Sequence, residues 1–250
     1  MGRLDSKCAI VTGATSGIGR ATAIMFAKEG ARVVATGRNA EKGAALVQEM
    51  ADAGLSADFI SCDLRQKADV DRLYDFAMEK MGKVDVLFNC AGVLVHKPYL
   101  EQTDEDLQWI FETNFRAYSW TMQKLIPEMM GLGGGSIINV ASISSIWPEL
   151  NAYYYGAMKA AVSNLSRNVA KEFAPQRVRV NCILPGPILT DMTPAEVAAN
   201  PDAFAADVCP LGRIGVPDDI AYGAVYLASD EAEFMTGQAI VLDGAVCVSN

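Results

Sequence analysis

The stretch Cys8-Ala-Ile-Val-Thr-Gly-Ala-Thr-Ser-Gly-Ile-Gly19 joins an apolar run directly to a glycine-rich turn. The apolar run predicts a buried β-strand over residues 8–12, and the residues from Gly17 onward predict a helix over 17–29. Glycines at 13, 17 and 19 permit a tight turn, and they let backbone N–H groups approach a pyrophosphate at the positive end of the helix. The pattern therefore predicts a phosphate-binding turn, with a purely structural strand-to-helix turn as the alternative.

The same alternation of short apolar runs and longer amphipathic stretches continues along the chain. It predicts further strands at 32–36, 57–62, 84–89, 136–141, 178–184 and 238–242. It predicts further helices at 40–53, 67–81, 104–130, 152–173 and 217–227. This order is typical of an α/β domain with a parallel sheet covered on both faces. We expect one doubly wound, seven-stranded domain over residues 1–250, with a lid at about 186–215, where prolines and glycines interrupt any period.

Composition and charge narrow the class of protein. The chain has 250 residues, of which 51% are hydrophobic, and its net charge is −9. An acidic chain is repelled by nucleic acid and by anionic membranes, so neither is expected as a partner. No apolar stretch is long enough to span a bilayer, and residues 1–7 carry charge where a signal peptide would be apolar. The two observations together predict a cytoplasmic protein. The six cysteines stand singly and the single histidine, His96, cannot form a His-rich metal site, so no metal is expected.

The end of the second strand carries the residue that selects a dinucleotide. An acidic residue there binds the ribose diol, whereas an arginine pairs with a 2′-phosphate. Here the strand ends in Ala35-Thr-Gly-Arg38, with no carboxylate. Arg38 therefore favours NADP(H), although a solvent-facing Arg38 followed by Asn39 would still tolerate NAD(H). Asp63 follows the third strand. Its carboxylate is placed either to accept a hydrogen bond from an adenine amino group or to cap the next helix.

Tyr155 and Lys159 form the candidate proton-transfer pair. Residues four apart lie on one face of a helix, so the Lys159 ammonium would favour the ionised form of the Tyr155 phenol. An unperturbed tyrosine has a pKa of about 10, and a general acid or base works best with a pKa near the operating pH. Ser142 stands thirteen residues before Tyr155. A serine at that place supplies a hydrogen-bond donor for the oxygen of a carbonyl that accepts hydride.

Together with Asn89-Cys-Ala-Gly92, Asn114 and Pro185-Gly186, these motifs resemble the short-chain dehydrogenase/reductase family over nearly the whole chain. The resemblance implies a Rossmann-like fold and catalytic roles for Asn114, Ser142, Tyr155 and Lys159, with Asn114 supporting a relay water. It also implies that Tyr155 and Lys159 contact the cofactor, together with Gly13, Thr15, Ser16, Gly17, Ile18, Gly19, Arg38, Asp63, Leu64, Asn89, Gly92, Ile188 and Thr190. Cys90 departs from the family's second asparagine, and Ser16 fills a slot that many NADP-using relatives give to a basic residue.

The segments expected to contact substrate are 94–99, 143–150 and 191–208. The side chains expected in the pocket are Trp147, Tyr153, Tyr154, Met192, Phe204 and Val208. They predict an apolar pocket for a bulky secondary alcohol or ketone, such as a hydroxysteroid or bile acid. A 3-oxoacyl-thioester reductase is the rival within the family, although lid carboxylates would repel its phosphorylated carrier. A non-catalytic dinucleotide-binding protein is a further alternative, and the absence of a G-x-S-x-G motif disfavours a serine hydrolase. The resemblance also implies a homotetramer.

Overall fold

A parallel β-sheet forms the centre of the computed structural model, which describes residues 2–248. In chain order its strands are β1 Cys8–Thr12, β2 Arg32–Gly37, β3 Ala57–Ser61, β4 Val86–Asn89, β5 Gly135–Val140, β6 Val178–Pro185 and β7 Ala239–Leu242. In space they lie in the order β3-β2-β1-β4-β5-β6-β7, all parallel within the described residues. The predicted seven-stranded, doubly wound α/β fold is confirmed.

Helices cover both faces of the sheet. They are α1 Gly17–Lys28, α2 Ala40–Asp52, α3 Lys67–Met81, α4 Asp104–Phe111, α5 Ala117–Gly131, α6 Tyr153–Phe173, α7 Ala195–Ala199, α8 Pro201–Val208 and α9 Pro217–Ala228. Apolar side chains of α1, α2 and α9 pack against one face, and those of α3, α5 and α6 against the other. Because both faces are covered, the central strands are fully buried, as in β1, where all five residues are buried.

Two predicted segments differ from the structure. The single helix expected over 104–130 is divided into α4 and α5 by a π-helical turn, Glu112–Arg116. The extra residue of a π turn changes the direction of the side chains around it, and here it directs Asn114 at the loop after β4. The segment 186–215 contains the two short helices α7 and α8, which the interrupted pattern did not reveal. Asn200 caps α8 and Pro201 stands in its first turn, so local signals for this helix were present.

The chain reverses its direction of winding between β1 and β4. Val11 of β1 pairs with Ala35 of β2 on one side and with Phe88 of β4 on the other. In open parallel sheets, ligands bind in the crevice at such a switch point, beyond the carboxyl ends of the strands. The glycine-rich turn begins directly after β1 and the motif Asn89-Cys-Ala-Gly92 begins at the last residue of β4, so both lie at this edge. Within residues 2–248, no helix is both long and apolar enough to cross a membrane.

Candidate active site

The glycine-rich turn packs its backbone tightly against the end of β4. Gly13 has a φ of +67°, and a methyl group there would lie 2.8 Å from the backbone nitrogen of Ala91. At Gly19 a methyl group would lie 2.3 Å from the carbonyl oxygen of Gly13. Ser16 is the N-cap residue of α1, but its side chain makes no capping hydrogen bond. It therefore does not occupy the first N–H groups of that helix. This geometry fits a pyrophosphate bound by backbone N–H groups, as the sequence predicts.

The loop after β4 is held by buried polar side chains. The Thr12 hydroxyl accepts hydrogen bonds from the backbone nitrogens of Cys90 at 2.9 Å and Ala91 at 3.2 Å. Asn89 is fully buried, and its amide donates to Asn139 Oδ1 at 2.9 Å and accepts from Thr121 at 2.9 Å. The Asn89 side chain therefore fixes the end of the strand, and any contact it makes with a cofactor would use its backbone.

The edge formed by β2 and β3 holds the residues predicted to select the dinucleotide. Arg38 is exposed, and the following Asn39 caps α2 through the backbone nitrogen of Lys42 at 2.9 Å. Asp63 does not cap α3, whose N-cap residue is Gln66. The capping alternative for Asp63 is therefore wrong. Its carboxylate instead binds the Arg65 guanidinium at 2.6 Å, and this bond lowers the pKa of Asp63.

Asn114 is buried inside the π-helical turn and is engaged on both sides of its amide. Its Oδ1 accepts from the backbone nitrogen of Val93 at 2.8 Å, and its Nδ2 donates to the Val93 carbonyl oxygen at 2.8 Å. This reciprocal pair fixes the loop that carries Gly92. A Cβ at Gly92 would lie 3.6 Å from Asn114 Oδ1 and 3.8 Å from Lys159 Nζ. The structure therefore brings together Asn114 and Lys159, two of the predicted catalytic residues.

Lys159 is almost completely buried, at 3% exposure. Its Nζ donates to the Val140 carbonyl oxygen at 2.7 Å and to the hydroxyl of Tyr118 at 3.5 Å. The same ammonium lies 5.6 Å from the centre of the Tyr155 ring. The pair thus lies on one face of α6, as the four-residue spacing predicts. Tyr118 was not singled out in the sequence, and its position four residues after Asn114 was the available signal.

Burial dominates the protonation of this pair. It lowers the pKa of Lys159 to about 8 and raises the pKa of the Tyr155 phenol, whose hydrogen bond with Ser142 acts in the opposite direction. The sequence predicts that Lys159 lowers the pKa of Tyr155. In the structure, burial raises the pKa of Tyr155, and the largest effect that lowers this pKa is the hydrogen bond with Ser142. Burial also raises the pKa of the Cys90 thiol to about 12, so this cysteine stays protonated beside the site.

The start of the predicted lid lies against the glycine-rich turn. A methyl group at Gly17 would lie 3.1 Å from the methyl carbon of Thr190. Ile188 forms a β-bridge with Gly215, which closes the base of the segment 186–215. Ile188 and Thr190 are therefore beside the predicted cofactor residues. Leu64 is buried in the core at 7% exposure, so its side chain supports the sheet.

The chain shares its sequence pattern with a known family of oxidoreductases. The family model described as enoyl-(acyl carrier protein) reductase matches residues 13–246. The 7alpha-hydroxysteroid dehydrogenase of Escherichia coli (strain K12) is 37% identical over 242 residues, covering 97% of this chain and 94% of that protein. The 3-oxoacyl-(acyl-carrier-protein) reductase of Thermotoga maritima is 33% identical over 246 residues, covering 98% of this chain and all of that protein.

A solved structure shows the same fold. It is a 7 alpha-hydroxysteroid dehydrogenase complexed with NADH and 7-oxo glycochenodeoxycholic acid, with a TM-score of 0.92 and 37% identity, covering 98% of this chain and 95% of that chain. The chain belongs to the short-chain dehydrogenase/reductase family. It is an NAD(P)-dependent oxidoreductase, and the predicted family membership is confirmed.

In this short-chain dehydrogenase/reductase, the large apolar side chains predicted to line one pocket lie in several places. Trp147 and Met192 are exposed, at 40% and 45%. Tyr153 packs edge-on against Tyr99, with 5.2 Å between ring centres. Tyr154 packs against the cluster of Val93, Val95 and Ile110, of which Val95 lies in the predicted substrate segment 94–99. Phe204 and Val208 belong to the lid helix α8. They pack in a small apolar cluster with Ile143, Ala205, Cys209 and Ile214.

Proposed function

We propose that this enzyme interconverts a secondary alcohol and a ketone on a bulky apolar substrate such as a hydroxysteroid or bile acid. The observation that carries the proposal is the set of exposed, large apolar side chains beside Ser142 and on the lid: Ile146, Trp147, Leu150, Leu189 and Met192. Apolar side chains left in water at the mouth of a catalytic crevice bind apolar ligands. The similarity to a 7alpha-hydroxysteroid dehydrogenase supports the same substrate class.

In this mechanism the chain's own residues hold the carbonyl and move the proton. A bound nicotinamide dinucleotide would supply or accept the hydride at the carbonyl carbon. Tyr155 exchanges a proton with the substrate oxygen, and hydrogen bonding from Ser142 lowers the pKa of its phenol. Lys159 places a positive charge beside the phenol below a pH of about 8. Asn114 fixes the loop that shields this site through both of its bonds to Val93.

The rival substrate is a 3-oxoacyl thioester, favoured by the enoyl-(acyl carrier protein) reductase description of the family model and by the relative from Thermotoga maritima. The lid carries four carboxylates, and Lys42 pairs with one of them, Asp191, at 3.3 Å. Arg213 pairs with Asp219 at 2.7 Å. A phosphorylated carrier would therefore meet mostly negative charge at this segment. The remaining lid carboxylates are Glu196, Asp202 and Asp207.

A panel of ketones assayed with NADPH distinguishes these substrates. We expect kcat/KM for a 7-oxo bile acid or another steroid ketone to exceed that for acetoacetyl thioesters by about tenfold or more, since the thioester carrier gains little from an apolar mouth. Carbonyl-free steroids of the same size serve as the control for binding without turnover. Faster reduction of the thioesters would instead establish the rival function.

We propose NADP(H) as the preferred cofactor, with NAD(H) accepted more weakly, because Arg38 stands exposed at the end of β2 and no carboxylate accompanies it in the strand. A guanidinium binds a phosphate through two parallel hydrogen bonds. The bound NADH in a related structure belongs to that relative, whose cofactor need not be the one preferred here.

Arg38→Asp is expected to reverse this preference. The substitution removes the guanidinium and places a carboxylate where a ribose diol binds, so kcat/KM with NADPH should fall about 100-fold, at the upper end of what a charge-assisted hydrogen bond contributes. Steady-state kinetics with both cofactors measure the change. Arg32→Ala, at the opposite end of the same strand, is the matched control and should leave both values unchanged. Equal losses with NADH and NADPH would contradict a role in phosphate recognition.

We also propose a cytoplasmic homotetramer in which the segment 186–215 closes over the substrate. The apolar side chains exposed on α9, β7 and the segment between them support an interface between copies of the chain: Tyr222, Tyr226, Phe234 and Val241. Closed, symmetric assemblies are the usual result of such self-complementary surfaces. Sedimentation velocity measures the assembly, and a monomer at micromolar concentration would contradict it.

A further inference from the structure

The buried amine of Lys159 has no anionic partner. None of the ion pairs among residues 2–248 includes it. The ionisable side chains that affect its charge most are two thiols, Cys90 after β4 and Cys182 in β6. Burial raises the pKa of both thiols, that of Cys90 to about 12, so both are neutral at neutral pH. A buried charge needs compensating groups, and for Lys159 these must be dipoles and aromatic rings.

Two tyrosine rings lie beside this amine. Lys159 Nζ is 5.1 Å from the centre of the Tyr118 ring and 5.6 Å from the centre of the Tyr155 ring. A cation within about 6 Å of an aromatic face is attracted to it, and the attraction is strongest where water is excluded. Water is excluded here, because Lys159 is 3% exposed and Tyr118 is 1% exposed. Both rings therefore favour the protonated amine.

The Tyr118 hydroxyl and Lys159 share one acceptor, the carbonyl oxygen of Val140. Lys159 donates to this oxygen at 2.7 Å, and Tyr118 donates to it at 3.4 Å. Because an ammonium only donates, the Tyr118 oxygen is the acceptor in its 3.5 Å contact with Lys159. Burial raises the pKa of Tyr118, so its phenol keeps the proton that it gives to Val140. Both contacts of the hydroxyl are long, which makes the ring the larger contribution.

Three elements of the fold meet at this amine. Val140 is the last residue of β5, Lys159 belongs to α6, and Tyr118 lies in the first turn of α5. That turn directly follows the π-helical turn that carries Asn114. The Tyr118 ring belongs to the core cluster on this face of the sheet. Its place beside Lys159 is therefore fixed by the packing of the core.

We propose that Tyr118 is a positioning residue for the reaction, and that its ring and hydroxyl keep the Lys159 ammonium charged beside Tyr155. Tyr118 acts through Lys159, since the ring itself is buried behind the site. Without it, the amine would retain the Val140 carbonyl oxygen and the Tyr155 ring, and it would lose its proton at lower pH. The inference rests on the role given to Lys159 in the proposed function, and not on the identity of the substrate.

Tyr118→Phe and Tyr118→Leu separate the hydroxyl from the ring. Lysine labelled at its ε carbon reports the titration of Lys159 by NMR without substrate or cofactor, and Lys159→Met identifies the signal. In Tyr118→Leu we expect the midpoint of this titration to fall by about one pH unit, a tenfold loss of proton affinity, since a water-excluded cation–π interaction is of about this size. In Tyr118→Phe the ring remains, so the fall should be less than half as large.

The same shift should appear in the pH dependence of kcat for any ketone that the wild-type enzyme reduces. The fall of kcat on the alkaline side should begin at lower pH in Tyr118→Leu, by the same interval as the NMR midpoint. A residue that only fills space in the core would change stability and leave both midpoints where they are. The agreement of the two midpoints therefore links Tyr118 to the charge of Lys159.

Leu125→Ala is the matched control. Leu125 lies two turns further along α5, about 10 Å away along the helix axis, and it is 2% exposed in the same core cluster. Its truncation should destabilise the core and leave the Lys159 midpoint unchanged. An equal shift in Leu125→Ala would overturn the proposal, as would unshifted midpoints in both Tyr118 variants. If Tyr118→Leu does not fold, Tyr118→Phe decides, and a midpoint no lower than that of wild type overturns the proposal. Failure to reduce steroid ketones would contradict the proposed substrate and would not affect the NMR titration.

Discussion

Tyr155→Phe is expected to lower kcat by about 10³-fold or more while leaving the dissociation constant of NADPH within about twofold of wild type. The change keeps the ring, whose centre lies 5.6 Å from Lys159 Nζ, and it removes only the hydroxyl. Proton transfer by a positioned side chain contributes about 10²–10⁴-fold.

Ketone reduction followed through NADPH absorbance measures kcat, and NADPH fluorescence measures binding. Tyr154→Phe is the matched control. It removes a phenol one residue away whose ring packs against the cluster of Val93, Val95 and Ile110, and it should keep at least half of wild-type activity. A Tyr155→Phe enzyme with wild-type kcat would remove the tyrosine from its assigned role, and one that binds NADPH weakly would show that the phenol serves the cofactor first.

The pH dependence of the wild-type enzyme follows from the same two groups. Burial raises the pKa of Tyr155, so the base form needed to oxidise an alcohol is scarce at neutral pH and oxidation should accelerate as the pH rises. Ketone reduction uses the protonated phenol and should stay constant through neutral pH. Lys159 loses its proton near a pH of about 8. The rate of ketone reduction should therefore fall above that pH. The size of the fall depends on how strongly the ammonium stabilises charge on the phenol oxygen.

The strands of the sheet were predictable because most of their residues are apolar and the central strands, such as β1 and β4, are buried along their whole length. All seven lie where the sequence places them, and their ends shift by at most two residues, as at β4, predicted at 84–89 and observed at Val86–Asn89. The glycine-rich turn was predictable for the same local reason. Gly13 and Gly19 each meet backbone atoms within 3 Å, which only glycine tolerates.

The features that escaped prediction depend on contacts between distant residues. The π turn exists where Asn114 binds Val93, twenty-one positions earlier, and the local pattern around it is that of an ordinary helix. Lys159 points at Val140 and Tyr118 because these groups surround its buried amine. The spacing of Tyr155 and Lys159 shows that they share a face of α6, but it does not show which of them meets the acceptors in the core.

Gly19→Ala is expected to destabilise the protein and to weaken NADPH binding at the same time. The added methyl group would lie 2.3 Å from the Gly13 carbonyl oxygen and 2.7 Å from its carbonyl carbon. Both are backbone atoms of the turn itself, so the turn must move. Overpacking of this kind costs about 1–3 kcal/mol of folding free energy. Moving the N–H groups that face a pyrophosphate should raise the dissociation constant of NADPH about tenfold or more, the loss of one charge-assisted hydrogen bond.

Urea unfolding measures the first effect and NADPH fluorescence the second. Gly131→Ala is the matched control, because a methyl group there has no neighbour within 4 Å and Gly131 ends the helix α5. It should be neutral or stabilise by up to about 1 kcal/mol, since alanine favours helix more than glycine does. Loss of stability with unchanged NADPH affinity would separate the two roles of the turn. In that case the turn would serve only to join β1 to α1, and the pyrophosphate site would have to lie elsewhere along the carboxyl edge of the sheet.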